Sequence, residues 1–239
     1  MAGETIGRDR LEHGTGTRRR PGWTEIGVGL VTSTVLTLGL TIAVHAVAGP
    51  VAFDVFLMVL SFIAAGGGFA AAVAVRIRSL AAFGVRRTTV RWLLIGLAGG
   101  VLAFVLKFPV TKIYVGLTGY TGNPQAMWAS AAADGVVLTV LAFLFLGVLT
   151  PIGEELLFRG VIATALLRYG AVAGVLGSAV VFAVLHGNIV TALSGLIVGL
   201  IAGELRRRSD SVWPGVAAHI VFNVLSNVLA FVVLPLLGG

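Results

Sequence analysis

The sequence contains no cysteine, which excludes disulfide bonds, thiolate metal sites and a cysteine nucleophile. Charge is also scarce: only 11% of the residues are Asp, Glu, Lys or Arg, against about 25% in soluble domains. Apolar residues make up 57% of the chain, and its mean hydropathy is +1.02. Long stretches carry no Asp, Glu, Lys or Arg; they cover 26–53, 55–75, 113–133, 135–153, 169–203 and 211–239. This composition leaves no room in the sequence for a separate soluble domain.

The uncharged stretches are long enough to cross a membrane, because a spanning helix needs about 20 apolar residues. They predict an all-α protein, a polytopic membrane helical bundle of about seven transmembrane helices. The predicted spans are 26–48, 51–75, 92–113, 135–167, 170–186, 189–205 and 213–236. The fourth stretch would be about 50 Å long as a straight helix, too long for one upright span and too short for two. Pro151 lies near its middle, so we expect this fourth helix to be broken near Pro151.

The polar and basic start of the chain differs from the rest. Residues 1–22 are predicted to form a disordered basic cytoplasmic tail, and residues 23–239 an integral membrane domain. No small-residue cleavage site of a signal peptide is evident in this region.

The distribution of basic residues predicts the orientation in the membrane. With seven spans, one side carries the arginines near 8–20, 76–91, 168 and 206–208, and only Lys107 and Lys112 lie near the other side. The positive-inside rule then places the N-terminus in the cytoplasm and the C-terminus outside, in a multi-pass protein of the plasma membrane (the inner membrane of a bacterial cell). The net charge of +7 is explained by this topology, and no nucleic-acid partner is predicted.

A set of polar residues interrupts the last apolar segments. Such residues are expensive at membrane depth and need partners or a function. Measured by helical rise from the basic loops, four of these residues lie between roughly 16 and 27 Å deep and can share one layer of the membrane. These four are Glu154, His186, His219 and Asn223. The set comprises Glu154, Glu155, Arg159, His186, His219 and Asn223.

The spacing within this set indicates hydrolytic chemistry. Glu155 and Arg159 are four residues apart and can form an ion pair on one helical face, while His219 and Asn223 project in one direction. A carboxylate can take a proton from water, and an imidazole can hold that water or move the proton. A second imidazole and an amide N–H can stabilise an oxyanion.

Two alternatives compete with this interpretation. A lone buried Glu–Arg pair is more often structural than catalytic, but the whole set at one depth favours an active site. The protein could instead be a non-enzymatic membrane transporter or a partner-binding scaffold. Transporters often show internal repeats with broken helices in both halves, whereas here the polar residues fall only in the C-terminal half and no repeat is evident.

At these residues the sequence resembles the CPBP (Abi-like) family of intramembrane proteases, which includes the type II CAAX prenyl endopeptidases and bacteriocin-processing proteins. The motif Glu-Glu-x-x-x-Arg stands at 154–159, Phe-x-x-x-His at 182–186 and His-x-x-x-Asn at 219–223. The resemblance covers residues 135–236, the expected catalytic core.

The resemblance implies an intramembrane endopeptidase that hydrolyses membrane-associated protein or peptide substrates. Glu154 would activate water held by His186, and His219 with Asn223 would form the oxyanion site. Glu155 and Arg159 would support them. A glutamate mechanism without a cofactor is favoured, because no His-Glu-x-x-His helix is present. Zn²⁺ held by Glu154, His186 and His219 stays open as an alternative. Neither the substrate nor the oligomeric state follows from the sequence.

Overall fold

The backbone is helical throughout the part of the chain that this computed structural model describes, residues 20–237, and these residues contain no strand. Six of their helices are long and apolar enough to cross a membrane, and a seventh apolar helix is shorter. The predicted all-α polytopic bundle is therefore confirmed. Of the predicted tail (residues 1–22), residues 1–19 lie outside the described part of the chain. In chain order the helices are α1 (Trp23–His45), α2 (Pro50–Val75), α3 (Val90–Thr118), a short α4 (Ala126–Ala133), α5 (Val136–Tyr169), α6 (Ala171–Val184), α7 (Ile189–Ser209) and α8 (Trp213–Leu236).

Helix α6 is shorter than the predicted span of residues 170–186. Its 14 residues extend about 21 Å, which is less than the roughly 30 Å of a hydrocarbon core. The helix ends because Gly187 adopts a left-handed backbone conformation, with φ of 69°. Asn188 then caps α7, its Oδ1 accepting hydrogen bonds from the next backbone amides. The resulting tight turn carries His186.

The predicted interruption near Pro151 takes the form of π-helical turns rather than a break. Helix α5 continues past the proline, with π-helical turns at Phe143–Leu149 and Leu156–Ala163 on either side. In the first turn the N–H of Thr150 donates to the carbonyl of Phe145, five residues back. The same pattern would pair residue 151 with Leu146, but proline has no N–H to donate. The Leu146 carbonyl is therefore left for another donor.

Glycines allow the closest helix contacts in the bundle. A Cβ on Gly100 of α3 would lie 2.3 Å from the Ala218 carbonyl oxygen of α8, so the two backbones touch there. A Cβ on Gly199 of α7 would lie 3.1 Å from the Cβ of Ala179 on α6. The three glycines spaced four residues apart on α7 (Gly195, Gly199 and Gly203) thus pack against other helices of the chain.

The connections between helices fall at two opposite ends of the bundle. One cleft is bordered by Arg20, the α2–α3 connection, the C-terminal end of α5 and the α7–α8 loop. The α3–α4 loop and the α6–α7 turn border a different cavity at the other end. This arrangement fits a path of seven crossings, with the described arginine groups at one end. Which end faces the cytoplasm stays a prediction. Around the outside, apolar side chains such as Val31, Val35 and Leu38 are about 60% exposed, as lipid contact requires.

Candidate active site

Four of the predicted site residues line one cavity of about 770 Å³ inside the bundle: Glu154, His186, His219 and Asn223. They come from α5, the α6–α7 turn and α8, which the bundle packs side by side. Their spacing in the sequence predicts a shared depth, and in the structure all four side chains line the same cavity. The other two predicted residues, Glu155 and Arg159, lie behind the cavity wall and are fully buried.

His219 lies between the two adjacent carboxylates. Its Nδ1 is 3.0 Å from Oε1 of Glu155, within hydrogen-bond range. Its Nε2 is 3.8 Å from Oε2 of Glu154, too long for a direct hydrogen bond but short enough for an ionic contact or a bridging group. Because a carboxylate only accepts, Nδ1 of His219 carries the proton in this contact. The imidazole is thus oriented by Glu155 and directs Nε2 towards Glu154.

Glu155 and Arg159 form the predicted ion pair in a fully buried position. Nη1 of Arg159 is 3.0 Å from Oε1 of Glu155, and neither side chain is exposed. The contact is electrostatic rather than well aligned, because no N–H of the guanidinium is directed at an acceptor. The guanidinium carbon also lies 4.8 Å from the ring centre of Phe182, a cation–π contact. Arg159 therefore compensates the charge beside His219 without reaching the cavity.

Phe182 and His186 form a second aromatic unit of the site. Nδ1 of His186 is 2.8 Å from the Phe182 carbonyl oxygen, which accepts only, so this nitrogen donates and Nε2 is left with a lone pair in the neutral ring. The Phe182 ring meets His186 and His219 edge-on, with centroids 4.5 and 5.5 Å away. In the sequence, Phe182 stands out only as the first residue of the Phe-x-x-x-His motif. The structure makes it the spacer between both imidazoles.

Asn223 is fixed by the irregular part of α5. Its Nδ2 donates to the Leu146 carbonyl oxygen at 2.8 Å, the acceptor that Pro151 leaves without a backbone partner. One N–H of the amide is used in this bond, and the other remains for a ligand. The π-helical turn and the proline therefore hold the amide in place at the cavity wall.

Comparison with known proteins finds a similarity in the C-terminal part of the chain. Residues 135–225 match the family model described as type II CAAX prenyl endopeptidase, Rce1-like. The matched stretch contains all six predicted site residues, and it confirms the resemblance to the CPBP proteases. No curated protein and no solved structure matches the chain.

The cavity that holds the four site residues extends towards the α3–α4 loop. The predicted third span ends at residue 113, but α3 continues to Thr118, so the connection is shorter than expected. Tyr120 of this loop accepts a hydrogen bond from Nδ2 of Asn188 at 3.0 Å, and both residues line the cavity together with Trp128. The loop and the α6–α7 turn therefore form one rim of the candidate site.

Lys107 is a cavity residue that sequence analysis missed. The sequence predicts only a topological charge at this position, because Lys107 lies near the end of a predicted span. The extended α3 instead places it inside, where its Nζ donates to Oγ of Ser226 at 2.7 Å and lies over the Phe104 ring. The ammonium lies against α8 about two helical turns from His219. Hydropathy alone does not show where α3 ends, and without that end the inward position of Lys107 could not be predicted.

The three residues named for the zinc alternative do not form a metal site as arranged here. Zinc needs its ligand atoms about 2.0–2.2 Å from one point. Within residues 20–237, no group of three His, Asp or Glu side chains is placed to hold a metal ion. The cofactor requirement accordingly stays a prediction with its own test.

Proposed function

We propose that this protein is an intramembrane endopeptidase that cleaves membrane-associated proteins or peptides with water activated by Glu154. The observation that carries the proposal is the shared cavity, which presents one carboxylate, two imidazoles and an amide inside a helical bundle. The match to the prenyl endopeptidase family supports the same reaction class.

The first step is deprotonation of a water molecule in the cavity. Glu154 is a carboxylate on the cavity wall, so it can accept one O–H. His186 offers a lone pair at Nε2, because its Nδ1 is bonded to the Phe182 carbonyl, and it can accept the other O–H. With both hydrogens held, the oxygen lone pair of the water faces the substrate. Glu154 takes a proton as the oxygen attacks the peptide carbonyl.

The second requirement is stabilisation of the negative charge on the carbonyl oxygen. Asn223 can donate its remaining N–H, since the other is bonded to Leu146. His219 can donate from Nε2 when its ring is an imidazolium. Two carboxylates and one guanidinium surround that ring, so an imidazolium brings the formal charge of the cluster to zero. Glu155 would thus position and compensate His219 rather than touch the substrate.

The reaction then completes without another reactant. Collapse of the tetrahedral intermediate breaks the carbon–nitrogen bond, and the proton held by Glu154 passes to the leaving nitrogen. The products are a new carboxyl terminus and a new amine terminus. Glu154 is assigned as the base because it lines the cavity, whereas Glu155 is bonded to His219 behind the cavity wall.

The test compares peptide termini in membranes of cells that express the wild-type protein, Glu154→Gln or Glu204→Gln. The first variant keeps the size of the side chain but cannot act as a base. The second is the matched control, because Glu204 is paired with Arg207 at the surface end of α7 and does not line the cavity. We expect a set of new termini in the wild type and the control that is absent with Glu154→Gln.

Fractions that contain equal amounts of folded protein make the comparison decisive. Termini that persist with Glu154→Gln would contradict the role of Glu154. Identical termini in all three strains and in cells lacking the protein would contradict proteolysis itself and favour the transporter or scaffold.

A further inference from the structure

A second cavity, of about 890 Å³, lies at the end of the bundle opposite the rim of the proposed active site. It is formed where the α2–α3 connection, the end of α5, the end of α7 and the segment before α1 meet. Five guanidinium groups and one carboxylate line this basic cleft: Arg20, Arg86, Arg168, Arg206, Arg207 and Asp210. Nothing in the proposed peptidase chemistry uses these residues.

The basic cleft has more positive charge than its carboxylates can balance. Asp210 pairs with both Arg86 and Arg206, and Glu204 just outside pairs with Arg207. Arg168 donates to backbone carbonyls of Ala165 and Pro21, which are neutral acceptors. Within residues 20–237, Arg20 and Arg168 pair with no carboxylate, Arg86 and Arg206 share Asp210, and Arg207 shares Glu204 with Arg208, so the cleft keeps excess positive charges. An anion that enters the cleft would balance them.

Arg206 distinguishes this cleft from an ordinary row of basic residues near a membrane surface. It is 97% buried, yet it borders the cleft and its Nε has no hydrogen-bond partner. Space for it exists because Gly84 has no side chain: a Cβ there would lie 2.4 Å from that nitrogen. Topology alone requires arginines near the surface and does not explain one that is buried in the wall of a cleft.

We propose that the basic cleft binds an anion of the phosphate class, either the headgroup of an anionic lipid or a free phosphate compound. Arginine suits this ligand because its planar fork of N–H donors matches phosphate oxygens. The cleft lies at the ends of membrane-spanning helices, where lipid headgroups are concentrated, and basic pockets there bind such headgroups. Four separate chain segments would be joined by a single bound anion.

The basic cleft is linked to the active-site support by a short hydrogen-bond chain. Nη2 of Arg206 donates to Oγ1 of Thr164 at 2.9 Å, and this hydroxyl donates to the backbone carbonyl of Arg159 at 2.9 Å. An anion that fixes Arg206 would therefore also restrain the π-helical turn that carries Arg159. We expect binding to raise the unfolding temperature of the whole protein.

The test uses purified full-length protein in lipid nanodiscs. Wild type is compared in discs of phosphatidylcholine alone and in discs with one fifth phosphatidylglycerol, by unfolding temperature and by native mass spectrometry of retained lipid. A third arm adds inorganic phosphate to the phosphatidylcholine discs at constant ionic strength. The double variant Arg86→Gln/Arg207→Gln removes two accessible cleft residues. Its matched control is Arg87→Gln/Arg91→Gln, which removes two charges at the same end that do not line the cleft.

We expect wild type and control to unfold at a higher temperature when the anion is present, and the cleft variant to bind it about 30-fold more weakly. A response to phosphatidylglycerol only would assign a lipid headgroup, and a response to phosphate would assign a free anion. The proposal is overturned if wild type responds to neither, or if both double variants lose the response equally, since general surface charge would then explain it. These readouts do not depend on peptide cleavage.

Discussion

Replacement of Arg159 by Gln tests whether the buried ion pair supports the site by charge. Glu155 would keep its fully buried position but lose the guanidinium 3.0 Å away. Breaking one partner of a buried pair lowers the free energy of unfolding by about 3–5 kcal/mol. His219 remains 3.0 Å from Glu155 and can compensate in part, so we expect the lower end, about 3 kcal/mol. That change corresponds to a decrease of about 6–12 °C in unfolding temperature for a protein of this size.

The assay is thermal unfolding in a constant lipid environment, with a double-mutant cycle that includes Glu155→Gln. The double variant should be more stable than the Arg159→Gln single variant, because it no longer buries an uncompensated carboxylate. Arg91→Gln, an exposed position, serves as the control and should change the free energy of unfolding by no more than about 0.5 kcal/mol. If Arg159→Gln unfolds at the same temperature as this control, or if the two substitutions are simply additive, the pair does not act by charge.

Further expectations concern the proposed oxyanion donor, the cofactor, the topology and the packing. Asn223→Ala should lower kcat by about 10²–10³ with little change in KM, and an unchanged kcat would remove the amide from the mechanism. Activity should survive exhaustive chelation; loss of activity that stoichiometric Zn²⁺ restores would make the zinc alternative correct. In a chain without cysteine, Gly239→Cys should react with an impermeant maleimide on intact cells, and Arg207→Cys only after permeabilisation; the reverse pattern would invert the predicted orientation. Gly100→Val should lower the unfolding temperature, because its Cβ would meet a carbonyl of α8, whereas Gly116→Val on the same helix has open space around it; equal temperatures would mean that the close contact is not needed.

Simple geometry was enough to predict much of the site from sequence. Counting residues from the basic loops placed Glu154, His186, His219 and Asn223 at similar depth, because helical rise is nearly constant. The i,i+4 spacing of Glu155 and Arg159 predicted their ion pair for the same reason. The catalytic roles of these residues stay predictions until the substitutions are measured.

Other features were not accessible from sequence patterns. Hydropathy marks an apolar segment but not its last helical turn, so the extension of α3 to Thr118 and the inward position of Lys107 were missed. The bond between Asn223 and Leu146 depends on a π-helical turn, which arises from backbone pairing rather than from side-chain periodicity. The burial of Arg206 depends on Gly84, which is distant in sequence and has no motif around it.

The π-helical turns of α5 also bear on how such a chain can change in length during evolution. A π-helical turn holds one residue more than the α-helical turn it replaces, so everything beyond it is rotated by about 100° around the axis. Loss of one residue within Phe143–Leu149 could restore regular α-helix without breaking the helix. It would, however, rotate Glu154 around the helix axis relative to the part of α5 that precedes the turn, so that its side chain would leave the cavity wall. We therefore expect homologous proteins that gain or lose one residue in this stretch to keep the cavity only when a second, compensating change restores the same rotation.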